Sequence, residues 1–228
     1  SNDPHPDAAA NYGRLFRRLI TWVSTTTAAG GLYEVDVRLR PDGDAGQTCV
    51  SLEAFKKYLL EKAWTWEHQA LTRARFVSGT EEVEHGFEQI RHTILTQQRN
   101  ICELQSEIVA MREKMIPTHP SKEENVKYAR GGIVDVEFIV QYLILAHSHI
   151  FPQLTQNYGN IALLGIAADL GLIDLNLAHK SQEAYRYYRK VQHLSNLKDN
   201  ATVEINNELL SHYEHVNILW KLCFPDYR

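Results

Sequence analysis

The stretch Arg130–Leu145, "RGGIVDVEFIVQYLIL", decides most of the fold. After its glycine pair, every residue is apolar apart from Asp135, Glu137 and Gln141. A helix that is apolar on nearly all sides is buried by other elements and does not lie at the surface. The stretch therefore predicts a mostly buried helix over Gly132–His149 within a helical bundle.

Helical patterns continue on both sides of this stretch. Apolar residues recur at helical spacing from Pro6 to Thr27, and Gly30 with Gly31 closes that pattern. Ser51 is a suitable N-cap for a helix that begins "LEAFKKYLLEKA". Further helices are predicted at Trp66–Arg75, Glu81–Thr96, Ile101–Met115, Asn160–Gly171, Leu175–Lys198 and Asn206–Phe224.

The segment "YEVDVRLRPDGDAG", Tyr33–Gly46, has a different period. Its apolar and charged residues alternate up to Pro41, which is typical of a strand with one buried face. "QTCV" could return as the second arm of a hairpin, and a short strand is possible at Arg75–Ser78. The fold class is therefore α+β and predominantly α, with a small α+β piece over residues 1–50 and a helical bundle over 51–228. Two prolines and a glycine pair mark a possible subdomain break near residues 117–131.

The composition excludes several classes of protein. The formal charge of −4 and the pI near 6.3 give no overall attraction to nucleic acid or to an anionic membrane. The 3 cysteines are far apart, which suits neither a disulfide framework nor a zinc site and predicts a reducing compartment. No apolar run approaches the ~20 residues of a membrane-spanning helix, and no signal-peptide pattern opens the sequence. These features predict a cytoplasmic protein.

The charged side of the predicted strand has two interpretations. Its members are Glu34, Asp36, Arg38 and Arg40. If this side of the strand is a solvated face, each pair of opposite charges stabilises the fold by at most ~1 kcal/mol. As a site, carboxylate would bind Mg²⁺ and guanidinium would bind phosphate. The strand alone favours the solvated face, and the neighbouring Asp42-Gly43-Asp44 is interpreted as a turn, because a glycine-rich loop holds metal ligands poorly.

Two helical motifs add further candidates. "AWTWEHQALTRAR" brings together tryptophans, Glu67 and Arg73, either as a surface for a purine or phosphate or as core tryptophans with solvated arginines. In the apolar stretch quoted first, Asp135 lies near the helix start, where a carboxylate stabilises the helix dipole and its free N–H groups. Glu137 is therefore the better functional candidate of the two.

Four motifs together resemble the glutamine synthetase adenylyltransferase family. They are "LYEVDVRLRPDGDAG", "EKAWTWEHQALTRAR", "EIVAMREKM" and "GGIVDVEFIVQYLIL", in matching order and spacing from about Leu32 to at least Ala168. The resemblance implies two nucleotidyltransferase units in tandem, of which one attaches AMP to a tyrosine of glutamine synthetase and the other removes it by phosphorolysis. "AWTWEHQAL" and "GGIVDVEFIVQYL" resemble the attaching, carboxyl-terminal half.

The resemblance also implies roles for individual residues. Asp36 matches the third carboxylate of a site that holds two Mg²⁺ ions and ATP, and Arg38 and Arg40 on the same face would contact phosphate. Motif membership makes Glu67, Arg73 and Glu137 further cofactor-binding candidates. Glutamine synthetase, the signal protein PII, ATP and glutamine are the partners that such a protein would have.

One departure from the family pattern limits these expectations. No Gly-Ser followed by Asp-x-Asp precedes Asp36, so we expect a fragment with an incomplete nucleotidyltransferase sheet that cannot transfer AMP alone. Two alternatives stay open: the deadenylylating half of the same enzyme, and a non-catalytic helical module that docks glutamine synthetase or PII.

Overall fold

A computed structural model describes residues 7–28, 30–31, 35–37, 41, 46–119, 122, 124–197 and 203–226. Helices dominate this part of the chain, which confirms the predominantly α, α+β fold class. Ser51 accepts a hydrogen bond from the Ala54 N–H at 3.1 Å, as expected of the predicted N-cap. The helices are α1 Ala8–Ser24, α2 Leu52–Glu61, α3 Thr65–Leu71, α4 Glu81–Leu95, α5 Ile101–Met115, α6 Ile133–His147, α7 Asn160–Asp169, α8 Leu175–Leu197 and α9 Asn207–Cys223, with a 3₁₀ turn at Pro152–Thr155.

The strands differ from the prediction. A two-residue strand β1, Thr26–Thr27, pairs antiparallel with β2, Gly30–Gly31. Residues 35–37 do not belong to a strand, and neither do residues 47–50 or 75–78. Period-2 alternation is compatible with a strand, but a strand forms only where a neighbouring backbone pairs with it. The rest of the predicted strand, including Glu34, Arg38 and Arg40, lies outside the described residues, as does Asp42-Gly43-Asp44.

The chain divides into two compact units. The first comprises Ser1–Ala70 with Arg75–Ile94, and the second comprises Leu71–Ala74 with Leu95–Arg228. Compactness does not identify which fold a unit belongs to, so the boundary at residue 50 and the break near residues 117–131 stay predictions. Among the described helices, none is both long and apolar enough to cross a bilayer.

Helix α6 forms the centre of the second unit. It contacts α5, α7, α8 and α9, and most of its side chains are buried, among them Ile139, Leu143 and Leu145. The predicted buried helix is therefore confirmed. Its position follows from its composition, because a helix that is apolar all round must be covered on every side.

A buried ion pair lies at the start of α6. Asp135 accepts a hydrogen bond from Arg112 Nε on α5 at 2.5 Å and another from the Gly131 N–H at 2.6 Å. Arg112 Nη2 also donates to the Tyr128 carbonyl oxygen at 2.8 Å. The structure differs from the prediction that Asp135 serves the free N–H groups of the helix start, because the Ile133 and Val134 N–H groups donate to the Val126 and Lys127 carbonyl oxygens. Asp135 instead pairs with Arg112, a partner that sequence reasoning did not supply. Gly131 is required here, since its φ of +79° and the nearby Tyr213 carbonyl oxygen leave no room for a Cβ.

The reactivity of the cysteines tests the packing of α9. All three are free thiols: Cys102 is exposed, Cys49 is half-buried, and Cys223 is buried on α9. Burial raises the pKa of the Cys223 thiol to about 12, and the thiolate is the reactive form. At pH 8 we therefore expect Cys102 to react rapidly with Ellman's reagent and Cys223 to react only after denaturation in urea. A Cys102→Ser variant assigns the rapid phase, and rapid modification of Cys223 in the native protein would contradict the packing of α9.

Candidate functional site

Asp36 is the one predicted metal ligand, and it is exposed in the first unit. Within the described ranges, no group of three or more His, Cys, Asp or Glu side chains lies close enough together to hold a metal ion. Mg²⁺ needs near-octahedral oxygen coordination, which one carboxylate cannot supply. The described residues alone therefore do not fit a complete magnesium site, and the role of Asp36 as a ligand stays a prediction.

Glu67 is engaged within the first unit. Its Oε1 accepts a hydrogen bond from the Tyr58 hydroxyl at 2.8 Å, and its Oε2 accepts one from the Trp64 N–H at 2.9 Å. The second bond is half of a capping box at the start of α3. The tryptophans of this motif are not core anchors in the described structure, because Trp64 is 70% exposed and Trp66 is 36% exposed. Cofactor binding by Glu67 stays a prediction.

Arg73 lies in the short segment Leu71–Ala74, which belongs to the second unit. Its Nη1 donates a hydrogen bond to Oδ1 of Asn160, the first residue of α7, at 2.6 Å. A second hydrogen bond also holds this segment: Asn157 Nδ2 donates to the Ala74 carbonyl oxygen at 3.4 Å. Arg73 is thus an exposed cation whose guanidinium is oriented by α7.

Glu137 lies on α6 and is half-buried. Its Oε1 accepts a hydrogen bond from the hydroxyl of Tyr185 on α8 at 3.2 Å. Burial raises the pKa of Tyr185, and the charge of Glu137 raises it further, so the hydroxyl stays protonated and remains a donor. Glu137 is thus oriented by a neutral tyrosine.

Asn160 lies close to the Tyr185 hydroxyl. It is 3% exposed, and its amide interacts with the Tyr185 hydroxyl and lowers the pKa of that group. Its Nδ2 is buried and has no hydrogen-bond partner among the described residues, so no hydrogen bond joins Asn160 to Tyr185. The structure thus contains two hydrogen-bonded pairs, Arg73 with Asn160 and Tyr185 with Glu137, whose inner members lie near each other.

The two pairs contain two residues that the sequence singled out and two that it did not. Arg73 and Glu137 came from separate motifs, and the structure places each of them in a different hydrogen-bonded pair of the second unit. Asn160 and Tyr185 were missed. Asn160 follows a glycine at a helix start, where Asn is common as a cap, and Tyr185 is one of several tyrosines in α8, so neither carried a distinguishing signal.

Comparison with known proteins shows which families and enzymes the chain is similar to. The profile described as glutamate-ammonia ligase adenylyltransferase matches residues 3–90, and the one described as GlnD PII-uridylyltransferase matches residues 99–212. A bifunctional glutamine synthetase adenylyltransferase/adenylyl-removing enzyme of Neisseria meningitidis serogroup A is 60% identical over 99% of this chain and 25% of the relative. Enzymes of the same description from Chromobacterium violaceum and Aromatoleum aromaticum are 51% and 48% identical over 98% of the chain, and over 25% and 24% of their own lengths.

These relatives agree with the resemblance that the four motifs predict. The chain spans about a quarter of their length. It belongs to the glutamate-ammonia ligase adenylyltransferase family.

Proposed function

We propose that this chain is part of an ATP-dependent adenylyltransferase that attaches AMP to a tyrosine of glutamine synthetase. The observation that carries the proposal is its 60% identity, over 99% of its length, to an enzyme described as both adenylyltransferase and adenylyl-removing. The motif "AWTWEHQAL" favours the attaching half over the removing half. The number and wide spacing of Cys49, Cys102 and Cys223 suit no disulfide framework, which supports an enzyme of the cytoplasm.

The residue roles form part of this proposal. Asp36 is one Mg²⁺ ligand, and Arg38 and Arg40 contact the phosphates of ATP. Glu67, Arg73 and Glu137 contribute to nucleotide binding. Arg73 and Glu137 both lie in the second unit, and each is oriented by a hydrogen bond with a residue of a neighbouring helix, which is compatible with this assignment.

The partners are glutamine synthetase as the acceptor, with PII and glutamine as regulators. The match of residues 99–212 to a profile whose description contains PII supports a connection to PII. The deadenylylating half is the alternative within the family. A non-catalytic docking module is the alternative from another class, and the helical character of the second unit is compatible with it.

The 228-residue chain alone is expected to transfer no AMP, since no Gly-Ser followed by Asp-x-Asp precedes Asp36 and one carboxylate rarely holds Mg²⁺. The measurement is incorporation of label from α-³²P-ATP into glutamine synthetase in the presence of Mg²⁺, with the full-length enzyme as positive control. Robust incorporation of label by the chain alone would contradict the prediction that its metal site is incomplete. Binding of glutamine synthetase or PII without nucleotide, undiminished by Asp36→Asn, would favour the docking module.

A further inference from the structure

Helix α1 has an apolar face that the described part of the chain leaves uncovered. Leu15, Leu19 and Trp22 follow one another at intervals of four and three residues, so they lie on one side of the helix. They are 57%, 50% and 68% exposed, respectively. Of the 17 residues of α1, Ala8 and Gly13 are the buried ones. We call Leu15, Leu19 and Trp22 the open face of α1.

The open face differs from the scattered apolar residues of an ordinary surface. Single exposed apolar side chains are common in soluble proteins, whereas a continuous apolar stripe on an amphipathic helix normally packs against another element. The other sides of α1 carry Arg14, Arg17 and Arg18. None of the other helices in the described ranges packs along α1. One side of α1 therefore suits solvent, and the open face suits a packed interface.

The length of the relatives indicates what covers the open face. The chain aligns over 99% of its length with the Neisseria meningitidis enzyme, of which it spans 25%. The adenylyltransferase profile, which matches residues 3–90, includes all of α1. We propose that the open face of α1 docks an apolar surface of the same polypeptide, in the part of the full-length enzyme outside these 228 residues. The docking applies equally to the attaching and the removing half of the enzyme.

The size of the open face favours a contact within one polypeptide over a contact with a second copy. One side of a 17-residue helix is about 25 Å long and about 10 Å wide. This is much less than the roughly 800 Å² that each molecule contributes to a standard interface between separate proteins. A segment of the same polypeptide needs less contact area, because the connecting chain keeps its effective concentration high.

The charge of α1 favours a protein surface over a membrane. Segments that bind anionic membranes carry clusters of roughly four to eight basic residues, whereas α1 has three arginines. Arg18 lies three residues after Leu15 and four before Trp22, so it borders the open face. We therefore expect the docked surface to be apolar at its centre and to carry an acidic side chain at the edge that meets Arg18.

Cysteine labelling of the full-length enzyme tests whether the open face is covered. Leu19→Cys places a thiol on the open face, and the control Thr21→Cys places one about 200° further around the same helix, at an exposed position. Maleimide should modify position 19 at least about 10-fold more slowly than position 21, because a packed interface must open before the reagent enters. Peptide mass spectrometry distinguishes both positions from the native cysteines. Equal rates at the two positions in the full-length enzyme would overturn the proposal.

Photo-crosslinking of the full-length enzyme identifies what covers the open face. Trp22→p-benzoylphenylalanine places the photoreactive group there, and the expected product is a crosslink within one polypeptide to a residue outside the 228. A crosslink to a second enzyme molecule, seen at twice the mass on a denaturing gel, would overturn the proposal in favour of a dimer. A crosslink that stays within the 228 residues would overturn it as well. Binding to phosphatidylserine vesicles that Trp22→Ala abolishes would overturn it in favour of a membrane contact.

Discussion

Replacing Asp36 by alanine in the full-length enzyme is expected to lower the rate of AMP attachment at least about 100-fold, the equivalent of a few kcal/mol of transition-state stabilisation. Asp36 is exposed, so the substitution removes a carboxylate without opening a cavity in the core. The variant should therefore fold normally. Incorporation of labelled AMP into glutamine synthetase is the measurement, with far-UV circular dichroism as the check on folding.

A matched control separates a specific carboxylate from a general loss of negative charge. Asp169 is an exposed acid at the end of α7 in the second unit, and Asp169→Asn should leave the rate unchanged. Asp36→Asn keeps the shape of the side chain and should lose activity nearly as fully as the alanine variant. Normal turnover of either Asp36 variant would remove this residue from the mechanism. If the Asp36 variants lose adenylyl removal and keep AMP attachment, the chain belongs to the deadenylylating half of the enzyme.

Arg112→Ala is expected to destabilise the chain by about 3–5 kcal/mol, because it leaves the buried carboxylate of Asp135 without its cation. Both partners are almost fully buried, with side-chain exposures of 0% and 2%. The arginine also donates to the Tyr128 carbonyl oxygen, so the loop before α6 would lose an anchor. Equilibrium unfolding in urea, followed by circular dichroism, gives the change in the free energy of unfolding.

The exposed pair between Arg130 and Glu113 is the control for this measurement. Its side chains are 44% and 51% exposed, and Arg130→Ala should change stability by no more than about 1 kcal/mol. The double variant Arg112→Met/Asp135→Leu should recover only part of the loss, because the Gly131 N–H and the Tyr128 carbonyl would still lack partners. A loss below about 1 kcal/mol for Arg112→Ala would contradict a dry, buried ion pair.

Helix positions were largely predictable from the sequence. The bounds predicted for Ile101–Met115 are those observed, and the other predicted helices differ from the observed ones by a few residues at their ends. Helices are predictable because their signals are local: apolar residues three and four apart, capping residues at the start, and glycine or proline at the end. The buried α6 was predictable for the same reason, since its composition leaves no polar face.

The strand prediction shows where local patterns are insufficient. Alternation around Asp36 was compatible with a strand, yet residues 35–37 are not in one. In the described part of the chain, Thr26–Thr27 and Gly30–Gly31 form a hairpin. Strand formation depends on a partner elsewhere in the chain. Alternation in one segment contains no information about whether that partner is present.

The sequence by itself determined the order of the helices, the family and the candidate residues Arg73 and Glu137, because each follows from a contiguous motif. Only the tertiary structure decided which polar side chains meet: Arg73 with Asn160 across 87 positions, Glu137 with Tyr185 across 48, and Arg112 with Asp135 across 23. The physical reason is that helix formation depends on neighbours within one or two turns. Contacts between helices depend on how their side chains pack, and a buried polar group binds whichever partner that packing brings within reach.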